Sequence, residues 1–256
     1  MRSESALLEE LTKTPYINVL TYPRISLNSA RARISQLKDL GVEEVVFQGH
    51  PKIGRLSVMG IGTVGVVVAA RVGEELLALK IRRTDANRPS LAEEYRLTTF
   101  ANRLGVGAPV QGHTKDFLMM KYLDYSEFAD WVKELHGEGT SRRARDMVHV
   151  ILNQCRTLDI MGLDHGQLSN LRKHVVVAEG RPWIIDFESA SMSRRPSNVT
   201  SAAQHLLVGG RISPLVRRLL GLRDTAPVLA LLREYKRGLD DFAYSNLLEQ
   251  LKLGAS

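Results

Sequence analysis

The stretch Gly60-Ile61-Gly62-Thr63-Val64-Gly65-Val66-Val67, with Ala78-Leu79-Lys80-Ile81 after it, decides how this chain is read. A G-x-G-x-x-G pattern that opens a dinucleotide-binding fold runs into a helix. Here residues 64–70 are β-rich, Val72-Gly73-Glu74 turns the chain, and 75–81 returns as a strand. The glycines therefore belong to a hairpin, whose missing side chains let backbone N–H groups approach an anion closely. Leu77, Leu79 and Ile81 alternate with Ala78 and Lys80, so Lys80 takes the opposite face, across which the hairpin folds. Taken singly, the glycines also fit an ordinary flexible hairpin, and Lys80 a solvated lysine beside Arg82 and Arg83.

Outward from this core, 44–47 and 54–59 read as short strands, which makes a glycine-punctuated antiparallel meander of roughly 44–83. Residues 90–104 read as a helix, capped by Ser90 and stopped at Gly105 ahead of Pro109, and 117–122 as one more strand. Upstream, the Leu7, Leu8 and Leu11 stripe closed by Pro15 predicts one helix. Leu27, Ala30, Ile34 and Leu37, ending at Gly41, predict a second. Arg31 and Arg33 on that second helix admit a DNA-reading module. Beyond Asp124 a long helix is expected at 141–160. Two β segments follow at 173–178 and 182–187, joined by Glu179-Gly180, then helices at 199–208, 213–221 and 226–252. The expected class is α+β: a helical extension (1–43), a β-rich lobe with one helix (44–122) and a mainly helical lobe (123–256).

The 256 residues are 44% apolar and 25% charged, enough to bury a core and unlike disordered or collagenous chains. The apolar run 64–70 ends at Arg71, far short of the roughly 20 residues of a membrane helix. Glu4, Glu9 and Glu10 stand where a signal peptide needs an apolar stretch, so a cytoplasmic protein without membrane association is expected. A lone Cys155 excludes an internal disulfide and a cysteine-rich metal site. Thirty-five Lys and Arg against 28 Asp and Glu give a net charge of +7, which favours anionic partners: nucleotides, RNA or an acidic protein surface. Aromatic residues, at 6%, are too sparse for a single-strand stacking platform.

Two more features complete the constellation. Glu93 or Glu94 offers a carboxylate to pair with Lys80, and periodicity alone does not choose between them. Farther on stand two loops, Leu163-Asp164-His165-Gly166-Gln167-Leu168-Ser169-Asn170-Leu171-Arg172 and Ile184-Ile185-Asp186-Phe187-Glu188. Asp186 closes an apolar β run, a position suited to holding Mg²⁺ as well as to capping a turn.

In this order and spacing the motifs resemble the protein kinase-like fold over about residues 54–208. The likeness is greatest to atypical archaeal kinases: the RIO family, the small kinase of the KEOPS tRNA-modification complex and, most specifically, the archaeal predicted serine/threonine kinases. His165-Gly166 and Asp186-Phe187-Glu188 are in that atypical style. Glu94 running into Leu104-Gly105-Val106-Gly107-Ala108-Pro109 is similar to the KEOPS kinase pattern, which selects Glu94 as the partner of Lys80.

The resemblance implies a bilobal fold with ATP and Mg²⁺ as cofactors. Gly60, Gly62, Gly65 and Val67 would cover the nucleotide, and Lys80 and Glu94 would set its phosphates. Met120 would be the gatekeeper and Tyr122 part of the adenine-binding hinge, with Asp186 on the metal. The same register puts the catalytic aspartate at Gln167 and the second metal-binding asparagine at Arg172. Glutamine only orients a hydroxyl, and arginine cannot ligate Mg²⁺ although it neutralises phosphate charge. Asp164 as a carboxylate and Asn170 as a metal ligand are candidates for part of the missing role. The implied activity is ATP-dependent transfer to a protein hydroxyl, slow for want of a base, or a related ATPase. The alternative is a nucleotide-sensing pseudokinase adaptor in an RNA-associated assembly. Arg194-Arg195-Pro196, just past the metal loop, is expected to receive an acidic or phosphorylated partner, or RNA.

Overall fold

The β-branched run after the glycine pattern lies at the centre of a seven-stranded antiparallel sheet in the computed structural model, which describes residues 4–253. The ends of the expected 1–43 and 123–256 segments, 1–3 and 254–256, lie outside the described residues. The chain forms two units. One runs to Thr99 and adds Ala108–Leu123; the other comprises Phe100–Gly107 and the chain from Asp124.

The first unit contains β1 (Glu4–Leu7), α1 (Tyr16–Leu20), α2 (Leu27–Asp39), β2 (Glu44–Phe47), β3 (Lys52–Ile53), β4 (Leu56–Ser57) and β5 (Gly60–Ile61). It continues with β6 (Gly65–Val72), β7 (Glu75–Arg82), most of α3 (Ala92–Arg103), β8 (Val110–His113) and β9 (Phe117–Lys121). Strand order is β1-β2-β6-β7-β9-β8, with β5 also on β6; β3 and β4 pair separately around a turn at Gly54-Arg55, so of the expected strand 54–59 only Leu56–Ser57 is extended in a ladder.

The segment read as a leading helix instead begins as a strand. Glu4–Leu7 pairs in register with Glu44–Phe47, and Leu8–Glu10 makes only a 3₁₀ turn. The leucine spacing is real, but Leu11 alone of that stripe is fully buried, and edge pairing outweighs helical periodicity. The second helix forms as expected, capped by the Ser26 side chain.

The apolar side chains between Leu11 and Leu37 pack onto the sheet. Leu11, Ile17, Leu20, Ala30 and Leu37 share one apolar cluster with Val45, Phe47, Val66, Leu79, Ile81 and Phe117 of the sheet. Arg33, half of the modest pair that admitted a DNA-reading module, is 2% exposed. Its guanidinium donates to the carbonyls of Leu20 and Arg82 and faces Asp116, which also accepts from Gln36 Nε2 (2.9 Å) and Arg82 Nε (2.7 Å). Burial pulls the Arg33 pKa down. Burial would raise that of Asp116, but its hydrogen bonds and the two cations hold it below the usual carboxylate range. Arg33→Met should therefore cost about 2–4 kcal/mol in urea unfolding, because it strips donors from buried carbonyls and a buried carboxylate.

The second unit holds β10 (Ser126–Glu127), α4 (Phe128–Glu134), α5 (Thr140–Ile160), α6 (Leu171–His174), β11 (Val175–Ala178) and β12 (Arg181–Ile184). Then come α7 (Asn198–Gln204), a π turn (His205–Gly209), α8 (Ser213–Leu220), α9 (Ala226–Gly238) and α10 (Asp241–Gln250). The single helix expected at 226–252 is two. Leu239 takes φ +53°, and the Asp240 side chain accepts from Ala243 N (2.8 Å), starting a fresh helix. The segment Phe100–Gly107, expected with the β-rich lobe, groups with this unit, where Gly107 abuts Phe187 and the Ile184 carbonyl.

Candidate functional site

In the first unit, β7 lies between β6 and β9, so Lys80 is flanked by Val67 and Leu118 in register. Leu79 and Ile81 enter the core on one face, and Lys80 takes the other. There its Nζ meets Glu94 Oε1 at 2.7 Å, with both residues buried (5% and 3% exposed). Glu93 turns outward to an exposed pair with Arg96, so Glu94 is the carboxylate that meets the lysine. A buried ion pair is a weak stabiliser of a fold, and its presence on a sheet face invites a functional reading.

The glycine pattern forms the β5–β6 hairpin: Gly60 pairs with Val67, Ile61 with Val66, and Gly62 N donates to Gly65 O (2.8 Å). Only the third glycine is sterically required. A Cβ on Gly65 would lie 2.8 Å from Lys80 Cγ and 2.9 Å from Cε, so the lysine stem runs directly across it. Gly60 and Gly62 have room for a side chain. The turn is not loose. Val64 is buried with Leu91 and Leu118, and Arg83 Nη1 donates to the Gly62 carbonyl (3.0 Å). Met120 packs on that small cluster, and Tyr122 OH accepts from Gln48 Nε2 (3.0 Å).

In the second unit the β11–β12 hairpin, pairing Val175 with Ile184, delivers Asp186. That residue has φ +67°, a left-handed conformation uncommon for non-glycine residues, although aspartate is among those that adopt it most readily. Asp186 Oδ2 lies 4.0 Å from His174 Nδ1. His165 is wholly buried; its ring lies 4.9 Å from that of Phe187 and 5.3 Å from that of His174. His165 Nε2 donates to the Ile185 carbonyl (3.0 Å), and its backbone N–H to Asn198 Oδ1 (2.9 Å). Burial, then the His174 charge, pushes the His165 pKa down to about 4. This histidine ties two loops together.

The remaining expected residues divide. Asp164 Oδ2 accepts from Arg194 Nε (2.9 Å) and Oδ1 from Ser197 N (3.3 Å), so its carboxylate already serves two donors. Gln167 begins the 3₁₀ turn Leu168–Asn170, and its Oε1 is buried without a hydrogen-bond partner. Asn170 is exposed at the end of that turn. Arg172 is exposed, and its Nε bonds Glu127 Oε2 (2.7 Å), turning the guanidinium toward β10. Two residues of this neighbourhood carry no signal in the sequence: His174, beside Asp186, and Arg194 as partner of Asp164. Nothing in their spacing announces either contact.

Among the described residues no group of three or more His, Cys, Asp or Glu is arranged to hold a metal.

Fold and site thus define a two-unit α+β protein with a mostly antiparallel sheet and a buried lysine–glutamate pair beneath a glycine hairpin. No family model matches the chain. An uncharacterized protein of Methanocaldococcus jannaschii is 26% identical over 120 residues, a stretch that covers 46% of this chain and 99% of that protein. No helix among the described residues is long and apolar enough to cross a membrane.

Proposed function

We propose that this protein is an atypical, kinase-like phosphotransferase that binds Mg-ATP and moves its terminal phosphoryl group slowly to a protein hydroxyl or to water. The observation that carries this reading is the buried Lys80–Glu94 pair against Gly65. A fixed ammonium beside a glycine-rich turn suits polyphosphate charge. Magnesium on Asp186 would neutralise charge building on the phosphates. Gln167 orients the acceptor hydroxyl by hydrogen bonding and takes no proton. Loss of a general base removes roughly 10²–10⁴-fold in rate, and positioning and charge stabilisation carry the rest.

The test follows phosphate from labelled ATP. Slow transfer or release is expected, lost in Asp186→Ala and Lys80→Met and raised in Gln167→Asp. The neutrality of Gln167 favours a second reading, a nucleotide sensor that binds without turnover. Stabilisation by Mg-ATP with no phosphate released, in wild type and in Gln167→Asp alike, would select the sensor. No response to nucleotide at all would remove both.

A further inference from the structure

We propose that the open cavity beside Arg194 in the second unit binds a carboxylate, the side chain of an aspartate or glutamate offered by a partner protein. The cavity encloses about 300 Å³ and is lined by Asp164, Gly166, Leu168, Arg194, Ser197 and Ser201, with Asn198 behind them. Part of this lining is saturated. Asp164 accepts at both oxygens, from Arg194 Nε and from Ser197 N. Asn198 donates through Nδ2 to Asp159 and Leu163 and accepts at Oδ1 from His165.

What is left over is mainly donors. Arg194 uses Nε on Asp164 and one hydrogen of Nη2 on the Ser189 carbonyl, which leaves the rest of its five-hydrogen fork. The hydroxyls of Ser197 and Ser201 share one long contact of 3.4 Å. A guanidinium held edge-on by one carboxylate can take a second at its open end. Gly166 is built for this placement. It sits at φ +82°, and a Cβ there would collide with Arg194 Nη2 and the Ser189 carbonyl.

Asp164 also sets the charge of the guest. Arg194 and Asp164 already sum to zero, so a phosphate ester would leave the site at about −1.5 to −2 and a single carboxylate at only about −1, the smaller repulsion from the buried Asp164. The neighbouring Arg195 takes no part, because its Nη2 donates to the carbonyls of Lys236 and Arg237 near the end of α9. Of the two adjacent arginines, one is structural and one faces the cavity. The net charge of +7 favours an acidic partner in the same direction.

The test is a titration of the full chain, without nucleotide and at fixed ionic strength, with N-acetyl-glutamate N-methylamide. The readout is the ¹⁵N side-chain signal of Arg194 Nε–H. A saturable shift in the millimolar range is expected, absent with the glutamine analogue, lost in Arg194→Met and unchanged in Asp186→Ala. Ser197→Ala/Ser201→Ala, which removes two hydroxyls and leaves the ion pair, should weaken binding about threefold or more. Equal shifts with glutamate and glutamine, tighter binding of inorganic phosphate or a short RNA, or full affinity in the double serine variant would each overturn the proposal. With no nucleotide present, these outcomes are separate from those of the phosphotransfer reading.

Discussion

Glu94→Ala is expected to lower the free energy of unfolding by about 3 kcal/mol, while Lys80→Met/Glu94→Leu returns it to within about 1 kcal/mol of wild type. The asymmetry follows from burial. Lys80 and Glu94 are 5% and 3% exposed, and their 2.7 Å contact offsets the cost of taking two charges out of water. Removing the carboxylate takes from the ammonium the anion it meets at 2.7 Å in a low-dielectric site, which is costly. Replacing both groups with apolar side chains of similar volume removes cost and compensation together. Val67, Leu118 and the Gly65 backbone around the lysine stem are compatible with a methionine there. Urea denaturation of the three proteins checks the stabilities. The functional half of the prediction is that the stable double variant no longer gains stability from Mg-ATP. A double variant that is both stable and nucleotide-responsive would make the pair an incidental feature of the sheet.

Acid is expected to weaken the fold between about pH 6.5 and pH 4, by about 3 kcal/mol from His165 alone. In the unfolded chain this imidazole takes up its proton near 6.5, but in the folded protein burial delays uptake until about 4. The unfolded state therefore binds the extra proton across that window, so stability falls as pH falls and is fully present above it. His174, lowered chiefly by burial, adds in the same direction. Asp159, raised by burial, works against the trend because it favours protonation in the folded state. Asp116 enters only at lower pH, since its folded pKa lies below the ordinary carboxylate value. Unfolding free energies measured at a series of pH values should show this slope, and His165→Gln should flatten it. A wild-type stability that is level from pH 7 to pH 4.5 would contradict the buried, neutral His165.

The central hairpin was legible because two signals coincide: β-branched residues from Val64 onward and strict alternation from Leu77 to Ile81. Lys80 and Glu94 were legible as types, and their meeting depends on β7 and α3 lying together. The N-terminal strand was not legible, since Leu7, Leu8 and Leu11 have helical spacing and their pairing with β2 is a long-range matter. Strand β8 reads Val-Gln-Gly-His, without alternation or β-branched enrichment, and it forms because β9 is there to pair with it. The break in the last helix hid for a local reason, an Asp240 cap that follows a leucine with positive φ. The roles of Arg33, Arg172 and Arg194 were the least legible. An arginine's charge is visible in the sequence, but the carboxylate or carbonyl it finds is not.

In the proposed function, the lysine under the glycine hairpin holds the nucleotide phosphates. Calorimetric titration of Mg-ATP into wild type and into Lys80→Met/Glu94→Leu measures this directly. Saturable one-to-one binding to wild type, absent from an equally folded double variant, is the result predicted. Binding of equal affinity to both proteins, or to neither, would contradict it.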